Sequence, residues 1–130
     1  MTYPLTTAHQ YKQALIKVRD KHHISGDHNY LKLLRMQGNA DSETTTATRM
    51  AEHVGFENFN AANLHYGKYA HLVAEALGYT PEKRKDGTYM WWMTFSSGNA
   101  ANEDSMDGHF EFVMHPELRN ALLEMRWIKK

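Results

Sequence analysis

Three observations predict a mostly helical α+β fold. Apolar residues recur with helical spacing along most of the chain. Two such segments, joined by a short aromatic turn, fill residues 44–79. The pattern then changes to period two in a pair of aromatic runs within residues 88–114, before a last helical segment over residues 116–126. One domain spanning residues 1–130 accommodates all of these, and no internal repeat divides it.

At the N-terminal side, Thr7 can cap a helix that carries Tyr11, Ala14, Leu15 and Val18 on one face. Asp27 can cap a second, in which Tyr30, Leu31 and Leu34 recur and Gly38 closes the end. Both read as scaffold. KHHISGDH links them, and QGNADSETTT is a polar connection into the central unit.

That unit is the most informative stretch. Thr46 caps a helix with Ala47, Met50, Ala51 and Val54 at i, i+3, i+4 and i+7, and Gly55 supplies a left-handed C-terminal cap. Phe56 and Phe59 frame a turn, and Asn60 then caps a second helix running to Leu77 and closed by Gly78. These are the proportions of a helix-turn-helix, so double-stranded DNA is the first partner to consider.

At about 100° per residue, Ala62, Tyr66, Tyr69, Val73, Ala76 and Leu77 share an inward stripe of the second helix. The opposite side carries Asn63, Leu64, Gly67, Lys68, His71 and Glu75. Such a face suits a major groove. Asn pairs with adenine, Lys or His reaches guanine or phosphate, Leu meets a thymine methyl, and Gly admits a close backbone. Glu75 opposes that role because phosphates repel a carboxylate. The bland alternative is an ordinary solvated face.

Beyond Gly78, TYMWWMTF and HFEFVM alternate in the manner of two paired strands, joined by SSGNAANEDSMDG. Alternation sends Trp91 and Trp92 to opposite faces, which makes Trp92 a candidate for base stacking if the second face is uncovered. His115 and Pro116 open a C-terminal helix with Leu118, Ala121, Leu122 and Met125 on its apolar face. Two N-terminal helices, a helix-turn-helix, a two-stranded aromatic hairpin and a C-terminal helix follow the order of a winged helix. The loop expected over residues 96–108 contains Glu103, Asp104 and Asp107, so it is not the basic wing that grips phosphates.

Charge argues against indiscriminate nucleic-acid binding, since 15 basic residues balance 15 acidic ones. The basic residues are nevertheless clustered: Lys83, Arg84 and Lys85 follow the helical pair and form the candidate phosphate contact, with Arg126, Lys129 and Lys130 at the end of the chain. The absence of cysteine excludes disulfides, thiolate metal sites and cysteine nucleophiles. The first residues lack a signal-peptide pattern, and no apolar run nears the roughly 20 residues of a membrane span, so a cytoplasmic protein with no membrane partner is expected.

VGFENFNAANLHYGKYAHLVAEALGY, the Trp-rich run after it and GHFEFVMHPELRNALLEMRWI together resemble a small module of bacterial restriction-type proteins. That module occurs alone or N-terminal to HNH nuclease domains. The likeness spans residues 11–128, and its densest motif, N-A-A-N-L-x-Y-G-K, is matched by Asn60 to Lys68. The resemblance implies a target-recognition role in phage defence. With no HNH nuclease in the sequence, a reader without nuclease activity of its own is expected.

No HExxH, phosphate loop, GxSxG or paired-carboxylate motif suggests catalysis, and His65 and His71 lack the i, i+4 spacing of helical metal ligands. No catalytic residue, metal or cofactor is expected. Two readings remain. One is a DNA-binding domain that reads a sequence or a modified base through Asn63, Leu64, Gly67, Lys68 and His71. The other is a small phage- or mobile-element-type protein that binds and inhibits a nuclease or other nucleic-acid enzyme, a role suited to a neutral chain.

Overall fold

A computed structural model describes residues 6–99 and 110–129. The fold is α+β and mostly α. Helices α1 (Ala8–His22) and α2 (Asn29–Asn39) lead through a 3-10 turn at Asp41–Glu43 to a two-residue strand, β1 (Thr44–Thr45). Helices α3 (Ala47–Val54) and α4 (Phe59–Leu77) follow, and after a second 3-10 turn at Trp91–Thr94 come β2 (Ser96–Asn99), β3 (Glu111–Met114) and α5 (Pro116–Glu124). Among the described residues, no helix is long and apolar enough to cross a membrane.

Local chemistry sets most helix ends. The Thr7 hydroxyl accepts from the Gln10 amide while the Gln10 side chain accepts from the Thr7 amide, which closes a reciprocal cap on α1. Thr46 caps α3 through the Arg49 amide, and Gly55 ends it at φ +97°. The cap of α4 is Asn58 rather than Asn60: its Oδ1 accepts from the Ala61 amide at 2.9 Å, so Phe59 is already helical. Likewise His28, not Asp27, caps α2, its Nδ1 accepting from the Tyr30 amide at 3.0 Å. Gly38 does not terminate α2. It lies buried in the last turn, where an added Cβ would sit 2.8 Å from Ile128, so close packing selects glycine there.

Among the described residues, the sheet contains three antiparallel strands in the order β1-β3-β2, so the expected two-stranded hairpin gains β1 as a third member. Its register pairs Ser96 with Met114 and Thr44 with Val113. The largest departure from expectation concerns residues 88–95, which form no regular strand; pairing starts at Ser96. The alternating rings of that run serve different surfaces instead. Phe95 enters the core against Tyr66 and Tyr69, whereas Trp92 packs edge-on to Phe110 and Phe112. Tyr11 also anchors the 3-10 turn by donating to the Thr94 carbonyl at 2.8 Å. Tertiary pairing therefore overrides the β propensity of the aromatic run and assigns the strand to small polar residues. The C-terminal helix is shorter than residues 116–126, ending at Glu124, with Arg126 left-handed at φ +60°.

The core lies between α4, α1, α2 and the sheet, and contains Tyr11, Leu15, Leu33, Met50, Tyr66, Tyr69, Phe95, Leu118 and Leu122. A polar knot crosses it. Gln37, expected in a polar connection, is fully buried; its Nε2 donates to Ser96 Oγ at 2.9 Å and the Phe112 carbonyl at 3.1 Å, and its Oε1 accepts from the Tyr66 hydroxyl at 2.7 Å. Tyr66 and Ser96 hydroxyls also meet at 2.6 Å. The knot ties α2, α4, β2 and β3 together, and so fixes the rotation of α4 about its axis.

Candidate nucleic-acid interface

The inward stripe of α4 is buried at Ala62, Tyr66, Tyr69 and Val73, with Ala70 and Ala74 beside it; Ala76 and Leu77 are half-buried at its edge. Burial pushes the Tyr66 and Tyr69 hydroxyls well above the usual tyrosine range. With that side committed, Asn63, Leu64 and Lys68 stand exposed on the other. Leu64, at 56% relative exposure, is one of two large apolar side chains left open to solvent among the described residues.

Gly67 lies on the same side of α4, between the directions of Asn63 and Leu64. Glycine inside a helix costs about 0.5–1 kcal/mol relative to alanine. Among the described residues, a Cβ at Gly67 would meet nothing within 4 Å, unlike one at Gly38. Packing among the described residues thus gives no reason for glycine here, and the helix backbone is left uncovered by them at this point.

His71, the next residue on this face, is less free than its spacing implied. Its ring stacks on Trp91 with centroids 3.7 Å apart and planes 9° from parallel, and its Nε2 lies 3.4 Å from Glu75. Trp91 in turn contacts Tyr89 at 5.2 Å, and the Lys83 ammonium sits 5.3 Å from the centre of the Tyr89 ring. A continuous run of rings, His71, Trp91 and Tyr89, therefore leads from the outer face of α4 to Lys83. Tyr89 and Trp91 belong to this surface and not to a strand, which their every-other-residue spacing alone does not reveal.

Residues 83–89 form a compact turn. Lys83 and Tyr89 make an isolated antiparallel bridge, the Arg84 amide donates to the Thr88 carbonyl, and Gly87 takes φ +91°. Asp86 accepts from the amide and hydroxyl of Thr88, whose hydrogen bonds hold its carboxyl below the usual range. Arg84 spends its guanidinium on the turn, with Nη1 donating to the Tyr89 carbonyl at 2.8 Å and to Thr88 Oγ1 at 3.2 Å. Lys83 and Lys85 are exposed. The basic run thus divides into a structural arginine and two outward lysines.

The helical pair is fixed from the other side by a second set of rings. His65 stacks on Phe56 of the turn at 4.7 Å and lies 6.2 Å from Tyr30, which itself stacks on Tyr69 at 4.9 Å. Trp92 is half-buried against Phe110 and Phe112 instead of presenting a free face. Glu103, Asp104, Asp107 and most of the expected loop over residues 96–108 lie outside the described residues; residues 96–99 of it are β2.

Among the described residues, no three His, Asp or Glu side chains group in a way that could hold a metal ion. Comparison of the chain with protein-family models, with curated proteins and with solved structures finds no match.

Proposed function

We propose that this chain is a winged-helix DNA-binding domain that reads duplex DNA through α4 and has no nuclease activity of its own. The observation that carries the reading is the junction between the outer face of α4 and the basic turn: Asn63, Leu64, Gly67 and Lys68 lead through His71, Trp91 and Tyr89 to Lys83. Base-edge chemistry and phosphate chemistry then lie along one surface, as groove recognition requires. The chain order also supports it, because α3 and α4 fall between β1 and β2 in a sheet of order β1-β3-β2.

Asn63 and Leu64 are the base-reading side chains of this proposal, Gly67 the point of closest backbone approach, and Lys68, Lys83 and Lys85 the phosphate contacts. Trp92 has no part in it, since its ring is engaged by Phe110 and Phe112. The balance of 15 basic and 15 acidic residues favours a second reading, in which the same surface meets a nucleic-acid enzyme and inhibits it. A pull-down with a duplex-competition arm separates the two. Duplex binding that weakens steeply with salt supports the reader. A protein partner retained in excess duplex, with no duplex binding at low salt, supports the inhibitor.

A further inference from the structure

Between α2 and α3 lies a cleft of about 620 Å³ that the proposed DNA surface does not use. Its size falls within the roughly 300–1,000 Å³ typical of small-molecule sites. Met36, Ala40 and Val54 give it aliphatic walls, and Asn39 adds an amide. Its charged lining is of one sign, Lys32 and Arg35 from α2, with the imidazole of His53 from α3 beside them and no carboxylate among the lining residues. A smaller cleft of about 310 Å³ near the end of α1 differs, because its Arg19 is already paired with Asp20 at 3.0 Å.

Arg35 supplies a second observation. Its Nη1 donates to the Gly26 carbonyl at 3.3 Å, but its Nε is buried and has no hydrogen-bond partner among the described residues. A buried guanidinium N–H without an acceptor is uncommon in folded proteins, so the Arg35 charge is only partly compensated by the described residues, and an oxyanion in the cleft that Arg35 lines is a natural counter-charge for it. Lys32 is exposed at the rim and can supply the second positive contact, while the aliphatic walls exclude a fully hydrated ion as the best occupant.

We propose that this cleft binds a small amphipathic anion, an oxyanion head group carried on a short aliphatic body. Phosphate monoesters and carboxylates share that chemistry. The site is independent of the DNA-reading proposal, as none of its lining residues belongs to the α4 face or the basic turn.

Isothermal titration calorimetry of the full chain with hexyl phosphate and hexanoate tests it, with inorganic phosphate and hexanol as controls. The expected result is one saturable site per chain for hexyl phosphate or hexanoate, with both controls weaker by about tenfold or more. Lys32→Glu, a change at an exposed position, should weaken the preferred anion by about tenfold while circular dichroism and Tm stay unchanged. Val54→Glu, which puts a carboxylate on the apolar wall, should weaken it at least as much. Absence of binding at millimolar ligand, inorganic phosphate binding as tightly as hexyl phosphate, or full affinity in a folded Lys32→Glu variant would each overturn the proposal. So would displacement of hexyl phosphate by a short DNA duplex, which would assign the cleft to the nucleic-acid backbone.

Discussion

Trp91 lies flat against His71, with ring centroids 3.7 Å apart, and this contact joins the 3-10 turn to the outer face of α4. An indole stacked on an imidazole contributes apolar burial together with a ring-pair preference of about 0.5–1.5 kcal/mol. Trp91 is only half-buried, so Trp91→Ala should cost less than a core truncation, about 2 kcal/mol in urea unfolding. The same variant should lose more DNA affinity than its stability change explains, because the basic turn is no longer held beside α4. Trp91→Phe should preserve most of both.

The buried knot around Gln37 gives a second prediction. Tyr66→Phe removes the hydroxyl 2.7 Å from Gln37 Oε1 and 2.6 Å from Ser96 Oγ, leaving buried polar atoms short of a partner. The expected loss is about 1–3 kcal/mol. Gln37→Leu removes the amide that donates to the Phe112 carbonyl and to Ser96 Oγ, and the carbonyl that accepts from the Tyr66 hydroxyl, leaving Ser96 and Tyr66 with each other. A double-mutant cycle by urea unfolding should show coupling of about 1 kcal/mol or more; additive losses would mean that the knot is not cooperative.

His115 makes stability depend on pH. It is buried, its Nε2 lies 2.7 Å from the Met93 carbonyl, and burial holds its imidazole down to about 4. Folding therefore favours the neutral ring. Its contribution is complete above the unfolded value of about 6.5 and is lost as pH falls from there toward 4. Between pH 7 and pH 4.5 the loss should be about 2–3 kcal/mol. His115→Gln, which cannot titrate, should flatten that part of the urea-midpoint profile, and an unchanged slope would place the acid sensitivity elsewhere.

Gly67 separates fold from function. Gly67→Ala should raise stability by about 0.5–1 kcal/mol, since helix propensity improves and the new methyl meets none of the described residues within 4 Å. If a DNA backbone or base edge approaches this point, the same methyl should reduce duplex affinity. A more stable protein with undiminished binding would remove α4's midpoint from the interface.

Legibility in the sequence followed the range of the interactions involved. The helical pair was readable because Thr46, Gly55 and Gly78 act within a few residues of themselves, and the buried positions Ala62, Tyr66, Tyr69 and Val73 obey a simple period. Residues 88–95 misled because aromatic alternation satisfies a strand and a packed irregular segment equally well; the partners that decide between them, β3 and α4, are distant in the chain. Gln37 sat unmarked in a polar run, and only Tyr66, Ser96 and Phe112 bring it inside. For the site, the exposed positions Asn63, Leu64 and Lys68 of α4 were legible from periodicity alone, whereas the engagement of His71 by Trp91 was not. The division of Lys83, Arg84 and Lys85 into outward lysines and a structural arginine was not, since it depends on the bonds Arg84 makes to Thr88 and Tyr89.

Duplex affinity as a function of salt tests the central claim most directly, with wild type compared with a Lys83→Gln, Lys85→Gln double variant that spares the structural Arg84. Fluorescence anisotropy on one labelled duplex should give a linear fall of log affinity with log salt, and the double variant should flatten that slope by about 1.8, or about 0.9 for each phosphate contact removed. Asn63→Ala, measured on a duplex selected from a random pool, should instead cost about 1–3 kcal/mol on that sequence and little on others, with its salt slope intact. Salt slopes that coincide for wild type and the double variant, with Asn63→Ala binding every duplex as wild type does, would contradict the account.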